Sequence, residues 1–139
     1  RYNEDFIYSA DFDLCARALR FLKVQNIPDV LLQYRRHPGQ ISSAKYKEQQ
    51  RYADVIRINQ LIDNLDLTLK EIPVLLHLKL MKRQHLFPRY KQKAEQWVMR
   101  ILEKNDTIGY YDQNILKEFL FYCISASLKL SNQKKSVTH

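Results

Sequence analysis

The feature that most restricts the possible folds of this chain is its shortage of glycine, because its 139 residues contain only Gly39 and Gly109. Antiparallel sandwiches and barrels turn their chains often, and those turns use glycine for backbone angles that other residues avoid. Apolar residues at helical spacing also fill most of the chain after residue 42. The sequence therefore predicts a mainly α protein with the length of about one domain.

The region from residue 43 to residue 139 is predicted to be a helical C-terminal part. Apolar periodicity indicates about four helices, over 42–65, 68–87, 89–105 and 113–131. In the second of these, Thr68 and Glu71 have the spacing of a capping box, although Pro73 interferes with the first turn. Residues 106–112 are predicted to form a loop, and the chain is predicted to end in a polar tail.

Residues 1–42 have a different pattern, which predicts an incomplete α/β region. A helix is expected from Asp11, because apolar residues recur on one face at Phe12, Cys15, Leu19 and Leu22. Apolar positions at 24–27 and 30–34 then predict two or three short strands. So few strands cannot form a stable sheet alone, so we expect unpaired strand edges that could allow a homodimer.

The charge of the chain is strongly positive, with 23 Lys and Arg against 15 Asp and Glu, a formal net charge of +8. A positive net charge of this size suits an anionic partner, such as nucleic acid, a phosphate-bearing small molecule or an anionic membrane surface. The alternative is that the charge only keeps the protein soluble. The densest cluster of cations lies in 79–93. No nucleic-acid-reading module is recognisable there, so we expect no nucleic-acid partner. The cluster is interpreted as a solvated face or as an edge that contacts an anionic bilayer.

Residues that often bind metals or redox partners follow no known site pattern here. Cys15 and Cys123 lie within apolar helical patterns, which predicts two buried free thiols. His77 and His85 are eight positions apart on one predicted helix, about 12 Å of rise, too far to share a metal. They are predicted to be on the surface or partly packed, whereas Trp97 lies on an apolar helical face and is predicted to be in the core.

Two stretches together resemble a known family, ADFDLCARAL (10–19) and NIPDVLLQYRRHPGQIS (26–42). They are similar to the C-terminal part of the catalytic domain of family-2 inverting glycosyltransferases, which have the GT-A fold. The resemblance covers about 33 residues, and the order and spacing of its elements agree. It implies a nucleotide-sugar donor, a saccharide or lipid-linked acceptor, and a divalent metal, Mn²⁺ or Mg²⁺. It also implies a cytoplasmic location, with peripheral contact at the inner face of the plasma membrane.

The resemblance implies roles for five residues. Asp11 falls on the family's catalytic base, an ionised carboxylate that takes the proton of the acceptor hydroxyl. His37 falls on a histidine that contacts the metal and diphosphate of the donor, so it is also the candidate metal ligand. Arg35 and Gln40 are weaker candidates for diphosphate or loop contacts. Arg17 is interpreted as a structural support for the helix.

The sequence also departs from the family pattern. Ala10 stands where the family has a glutamate before the base, and no acidic D-x-D metal motif occurs in a suitable place, since the letters DFD at 11–13 open a helix. Asp5 is a competing base that lacks the Leu and Arg at the expected offsets. We therefore expect residues 1–42 to be part of a catalytic domain whose nucleotide-binding half lies outside this chain, with 43–139 as its helical extension.

Simpler interpretations remain open. Asp11 could be a plain helix cap and His37 an exposed histidine at a strand end. The alternative function is a non-enzymatic helical module, whose basic surface docks a protein, a membrane or a polyanion.

Overall fold

The computed structural model describes residues 1–35, 37 and 39–133, and side chains as far as residue 129. This part of the chain contains six α-helices: α1 (Ala10–Ala18), α2 (Ile41–Ala44), α3 (Tyr46–Leu65), α4 (Val74–Met81), α5 (Lys91–Ile108) and α6 (Gln113–Gln133). Two short 3₁₀ turns, Glu4–Phe6 and Pro88–Tyr90, complete the regular structure. The result is consistent with the mainly α prediction. The turn expected at Pro38 and Gly39 and the predicted polar tail fall partly outside the described residues.

The predicted α/β remnant in residues 1–42 is wrong, because no strand forms anywhere in the described part of the chain. Residues 22–35 have no regular secondary structure. Their apolar side chains are exposed rather than buried, with Val30 at 91% and Leu32 at 79%. A β-strand needs a second strand to receive its backbone hydrogen bonds. The rest of the described chain is helical and offers no such partner, so the strand-like composition produces an irregular segment.

The chain divides into two compact units, Arg1–Asn59 and Gln60–His139, and the division falls inside α3. The domain boundary expected after residue 42 stays a prediction. None of the helices in the described residues is both long and apolar enough to cross a membrane.

The first unit is held together by contacts between its N-terminal residues and the start of α3. The rings of Phe6 and Tyr8 lie 6.0 and 6.1 Å from the ring of Tyr52, within the range of favourable aromatic pairs. Ser9 does not cap α1 with its side chain; its Oγ donates instead to the carbonyl of Gln49 at 3.1 Å. These contacts fix the first turn of α1 against α3.

The expectation of a buried thiol in the first unit is also wrong, because Cys15 is exposed. The predicted helical face continued through Leu19 and Leu22, but α1 ends at Ala18 and both leucines are more than half exposed. The buried side of α1 instead contains Asp13 and Ala16. In the second unit Cys123 is buried as predicted.

The second unit has a dense helical core in which α5 packs against α4 and α6. A buried stripe runs along α5, formed by Ala94, Trp97, Val98, Ile101, Leu102 and Asn105. Trp97 is in the core as predicted. His77 is buried with only 3% exposure, so the prediction that it is on the surface or partly packed is wrong. The indole N–H of Trp97 donates to Nδ1 of His77 at 3.3 Å, which satisfies both polar groups inside the core.

Helix α4 is shorter at both ends than the predicted helix over 68–87. Glu71 accepts from the backbone N–H and the hydroxyl of Thr68 at 2.9 and 2.8 Å, so the capping-box contacts close a turn before Pro73. The helix begins after that proline, which has no N–H to donate. It ends at Met81, and two positions later Arg83 has the left-handed φ of 50°. There the N–H of Gln84 donates to the carbonyl of Lys79, a common helix-terminating bond.

The loop between α5 and α6 is closed by one asparagine. Nδ2 of Asn105 donates to the carbonyl of Tyr111 at 2.9 Å, and the N–H of Tyr111 donates to Oδ1 of Asn105 at 2.8 Å. Gly109 ends α5 with a φ of 71°, a conformation that glycine adopts without strain. Helix α5 therefore continues to Ile108, beyond the predicted end at Asn105.

Candidate functional site

The first unit contains a cavity of about 640 Å³ that gathers three of the predicted site residues. Asp11, His37 and Gln40 all line it. Its volume lies within the range of about 300–1,000 Å³ that is usual for small-molecule sites. The described residues that line it all belong to residues 2–49, within one compact unit.

Asp11 is positioned by the first turn of α1. Its Oδ1 accepts from the N–H of Phe12 at 2.8 Å, and the side chain is exposed. A carboxylate at a helix N-terminus interacts favourably with the helix dipole. One oxygen is thus held by the backbone, and the other is available to a ligand in the cavity.

His37 and Gln40 are linked by a tight turn. The N–H of Gln40 donates to the carbonyl of His37 at 3.2 Å, and the N–H of His37 meets Oε1 of Gln40 at 3.3 Å. Gln40 also precedes α2, and its carbonyl accepts from the N–H groups of Ser43 and Ala44. The start of α2 therefore determines where this turn lies, and the turn presents an imidazole and an amide to the cavity.

Three tyrosines contribute to the wall of the cavity: Tyr2, Tyr8 and Tyr34. Tyr2 and Tyr34 are each 64% exposed, whereas Tyr8 is half-buried and packs on Tyr52. The hydroxyl of Tyr34 lies 3.4 Å from Oγ of Ser42, another lining residue. Aromatic faces beside hydrogen-bonding side chains suit a ligand that has both apolar C–H faces and hydroxyl groups.

The described part of the cavity wall carries little charge. Among the described lining residues, Asp11 is the only acidic side chain, and no lysine or arginine is present. A diphosphate calls for cationic or multiple N–H donors, whereas a neutral polyhydroxyl ligand needs neutral donors and acceptors. The described part of the wall therefore offers hydroxyl and amide groups and one carboxylate, but no lysine or arginine for a diphosphate.

Two of the predicted site residues do not line the cavity. Arg35 is exposed and is not part of the wall. Arg17 donates through Nε and Nη2 to Oδ2 of Asp13 at 2.9 and 2.7 Å, and Nη2 also reaches the carbonyl of Arg1 at 2.9 Å. Asp13 is 6% exposed. The arginine thus joins α1 to the chain's first residue, and the support role assigned to it stays a prediction.

The donor set for a metal is small in this part of the chain. Within the described residues, no group of three or more His, Cys, Asp or Glu side chains is arranged to hold a metal ion. Asp11 and His37 supply one carboxylate and one imidazole to the cavity. Octahedral Mg²⁺ or Mn²⁺ needs more oxygen ligands than these residues provide. They do not fit a complete metal site by themselves.

The aromatic wall of the cavity was not predicted from the sequence. Tyr2 and Tyr8 belong to a short stretch with three aromatic residues in its first eight positions, RYNEDFIY. That density was the available signal. It carries no periodicity, however, and the sequence alone does not reveal that these rings lie near the turn at His37.

Comparisons with protein-family models, with curated proteins and with solved structures found no match for this chain.

Proposed function

We propose that the cavity of the first unit is the acceptor site of an inverting glycosyltransferase, whose nucleotide-binding half is supplied by residues outside this chain. One observation carries the proposal. Asp11, His37 and Gln40 were selected from a sequence resemblance, and they line one cavity although 26 or more positions separate the aspartate from the other two. The described wall of this cavity also supplies one carboxylate, Asp11, beside three tyrosines, which supports this role.

In this proposal Asp11 is the general base. The acceptor hydroxyl donates its proton to the carboxylate as its oxygen attacks the anomeric carbon of the donor sugar. The bond from that carbon to the nucleotide diphosphate breaks, and the diphosphate leaves with the electron pair, so the configuration inverts. Positioned bases of this kind contribute about 100- to 10,000-fold to rate.

The remaining residues of the cavity would bind and orient the acceptor. Tyr2 and Tyr34 would stack against its C–H faces, and Gln40 would hydrogen-bond its hydroxyl groups. His37 is proposed to contact the donor diphosphate or a metal carried with it. Because the residues in the cavity do not complete a metal site, the proposal assigns no step to the metal. The enzyme is proposed to act in the cytoplasm, on polysaccharide or glycolipid precursors.

The test uses two aspartates of the same unit in the longer enzyme. Asp11→Asn should lower glycosyl transfer by about 100- to 10,000-fold, while donor binding measured by calorimetry stays the same. Asp5→Asn is the matched control, since Asp5 is exposed and does not line the cavity, and its transfer rate should be unchanged. Normal turnover by Asp11→Asn would refute the role of this carboxylate.

The chain itself provides a second test. In NMR titrations with neutral oligosaccharides, resonances of Tyr2, Tyr8 and Tyr34 should shift, and Asp11→Asn should still bind. Titration with a nucleoside diphosphate alone should leave those resonances in place. The reverse pattern would assign the cavity to the donor and would contradict the acceptor proposal.

The alternative is a non-enzymatic module that docks through its basic surface. The observation in its favour is the run of cations in the second unit. Detection of glycosyl transfer that depends on Asp11 would exclude this alternative as the whole function.

A further inference from the structure

The second unit carries a strongly basic segment, residues 79–93, which is named here the basic segment. It contains six cations and no carboxylate: Lys79, Lys82, Arg83, Arg89, Lys91 and Lys93. No acidic residue occurs in the sequence between Glu71 and Glu95. The formal charge of the whole chain is only +8, so the positive charge is concentrated at the turn between α4 and α5.

The basic segment is built around an exposed aromatic tip. Leu86 is buried at 2% exposure, and its N–H donates to the carbonyl of Ser127 at 3.0 Å, which anchors the segment to α6. The next residue, Phe87, is 50% exposed, and Tyr90 is 37% exposed. An anchored backbone therefore holds two partly exposed rings among the cations.

Arg89 covers both of these rings. Its guanidinium carbon lies 5.2 Å from the ring centre of Phe87 and 5.1 Å from that of Tyr90, within cation–π range. The imidazole of His85 meets the Phe87 ring edge-on at 4.6 Å. Single-stranded nucleic acids bind by stacking bases on open aromatic faces. Arg89 lies over one face of each ring, so less ring area is open for bases to stack on.

The same arrangement suits the interface of a bilayer. Lipid headgroups accept guanidinium and ammonium donors, and aromatic rings prefer the boundary between headgroups and acyl chains. Five of the six cations of the basic segment are exposed: Lys79, Arg83, Arg89, Lys91 and Lys93. The cations can therefore contact headgroups while Phe87 enters the boundary region.

At two places in the basic segment, cations occupy positions where another residue type would stabilise the local structure better. Arg83 has a φ of 50°, a position where glycine is favoured. The first turn of α5 contains Lys91 and Lys93 and no acidic residue, although the helix dipole favours carboxylates there. Departures from local preference of this kind are expected at functional surfaces.

We infer that the basic segment docks the protein on a membrane that contains anionic lipid, with Phe87 inserted between headgroups. This inference goes beyond the proposed glycosyl transfer, and it stands or falls without it. Each Lys or Arg near such a membrane strengthens binding by about fivefold, and the attraction weakens as salt is added.

The experiment measures co-sedimentation of the whole chain with vesicles of phosphatidylcholine that contain about 30% phosphatidylglycerol. The test variant is Lys79→Glu, Arg89→Glu and Lys93→Glu together. The control variant is Lys47→Glu, Lys117→Glu and Lys129→Glu, which has the same net charge and changes three exposed lysines outside the basic segment. Circular dichroism confirms that both variants are folded.

The inference predicts that the test variant binds about 100-fold more weakly than the unmodified chain, and that the control loses much less. Phe87→Ser should weaken binding several-fold while the charge is unchanged, which a purely electrostatic contact would not show. Vesicles of phosphatidylcholine alone should bind weakly.

Three results would overturn the inference. The first is no binding to the anionic vesicles, and the second is equal loss in the test and control variants. The third is tighter binding of a single-stranded RNA through the same cations, which would assign the surface to nucleic acid. Loss of vesicle binding with transfer activity intact would leave the proposed acceptor site unaffected.

Discussion

The two compact units differ in where their apolar residues lie. In the described part of residues 60–139, α4, α5 and α6 pack on one another. The stripe along α5 is nearly inaccessible, with Val98 at 0% and Ile101 at 2% exposure. In residues 1–59, a long run of apolar side chains between α1 and α2 remains exposed, comprising Leu19, Phe21, Leu22, Val24, Ile27, Val30, Leu31, Leu32 and Tyr34. A helical stripe can be covered by other helices of the same unit, whereas a strand-like run also needs a partner strand for its backbone hydrogen bonds.

This contrast has a functional meaning. The second unit carries most of the chain's hydrophobic stabilisation, since burial scales with apolar area removed from water. The first unit carries the candidate site and little core. Its structure is fixed by a few specific contacts, such as those of Ser9 and Arg17, rather than by close packing. Experiments that compare equivalent changes in the two units can therefore test the distinction directly.

The largest expected difference concerns the two thiols. Cys15 is exposed and Cys123 is buried, and burial raises the pKa of the Cys123 thiol. The reactive species is the thiolate, and Cys123 reacts only when the second unit opens. Alkylation followed by mass spectrometry should show Cys123 reacting about 1,000-fold or more slowly than Cys15. Similar rates would mean that α6 does not pack as described.

The next largest difference is expected when a buried side chain of the second unit and an exposed side chain of the first unit are each truncated to alanine. Ile101→Ala removes core packing from α5 and should lower the free energy of unfolding by about 2–5 kcal/mol. Leu32→Ala, the matched change in the first unit, removes a side chain that is 79% exposed and should change it by less than about 0.5 kcal/mol. Urea denaturation measures both. A loss at Leu32 as large as that at Ile101 would show that the exposed run is covered in solution.

The two glycines provide a smaller comparison. Gly109→Ala forces a side chain into a φ of 71° and should destabilise the chain by about 1–2 kcal/mol. At Gly39 an added Cβ would meet Nδ1 of His37 at 3.6 Å, an ordinary contact, so Gly39→Ala should be nearly neutral. The measurement is again the urea midpoint. Equal destabilisation by both alanines would contradict the left-handed end of α5.

The smallest effect concerns pH. Hydrogen bonds from Thr68, with support from Arg100, lower the pKa of Glu71 from 4.5 to about 2. Because the folded pKa is depressed, the stabilisation is present above pH 4.5 and is lost as the pH falls towards 2. In the Glu71→Gln variant the urea midpoint should change less between pH 4.5 and about pH 2 than it does in the unmodified chain. Near neutral pH, the dependence of the midpoint on pH should be the same for both proteins. An unchanged acid profile would show that these hydrogen bonds do not persist in solution.

The helices of the second unit could be predicted from the sequence because the apolar pattern that indicates each helix lies within that helix. The stripe from Ala94 to Leu102 repeats at helical spacing, and one such face determines both the helix and its buried side. The predicted helix ends were less accurate, because the end of a helix depends on the backbone conformation of one or two residues, such as the left-handed φ of Arg83. The burial of His77 was missed, since its hydrogen-bond partner Trp97 lies 20 positions away.

The first unit was predicted less well, for a physical reason. The composition of residues 24–34 favours strands, but strand formation depends on a partner strand, which local composition cannot supply. Asp11, His37 and Gln40 were identified through resemblance, and their common cavity required the turn that joins His37 to Gln40. The tyrosine wall depends on how the first eight residues lie against α3, which no local pattern indicates.

The two hydrogen bonds between Asn105 and Tyr111 have a consequence for how the second unit folds. They close a very short loop, so joining α5 to α6 costs little chain entropy, and contacts of low sequence separation form early. The α5–α6 hairpin is therefore expected to act as the folding nucleus onto which α4 later adds. Replacement of Asn105 would then slow folding more than it speeds unfolding.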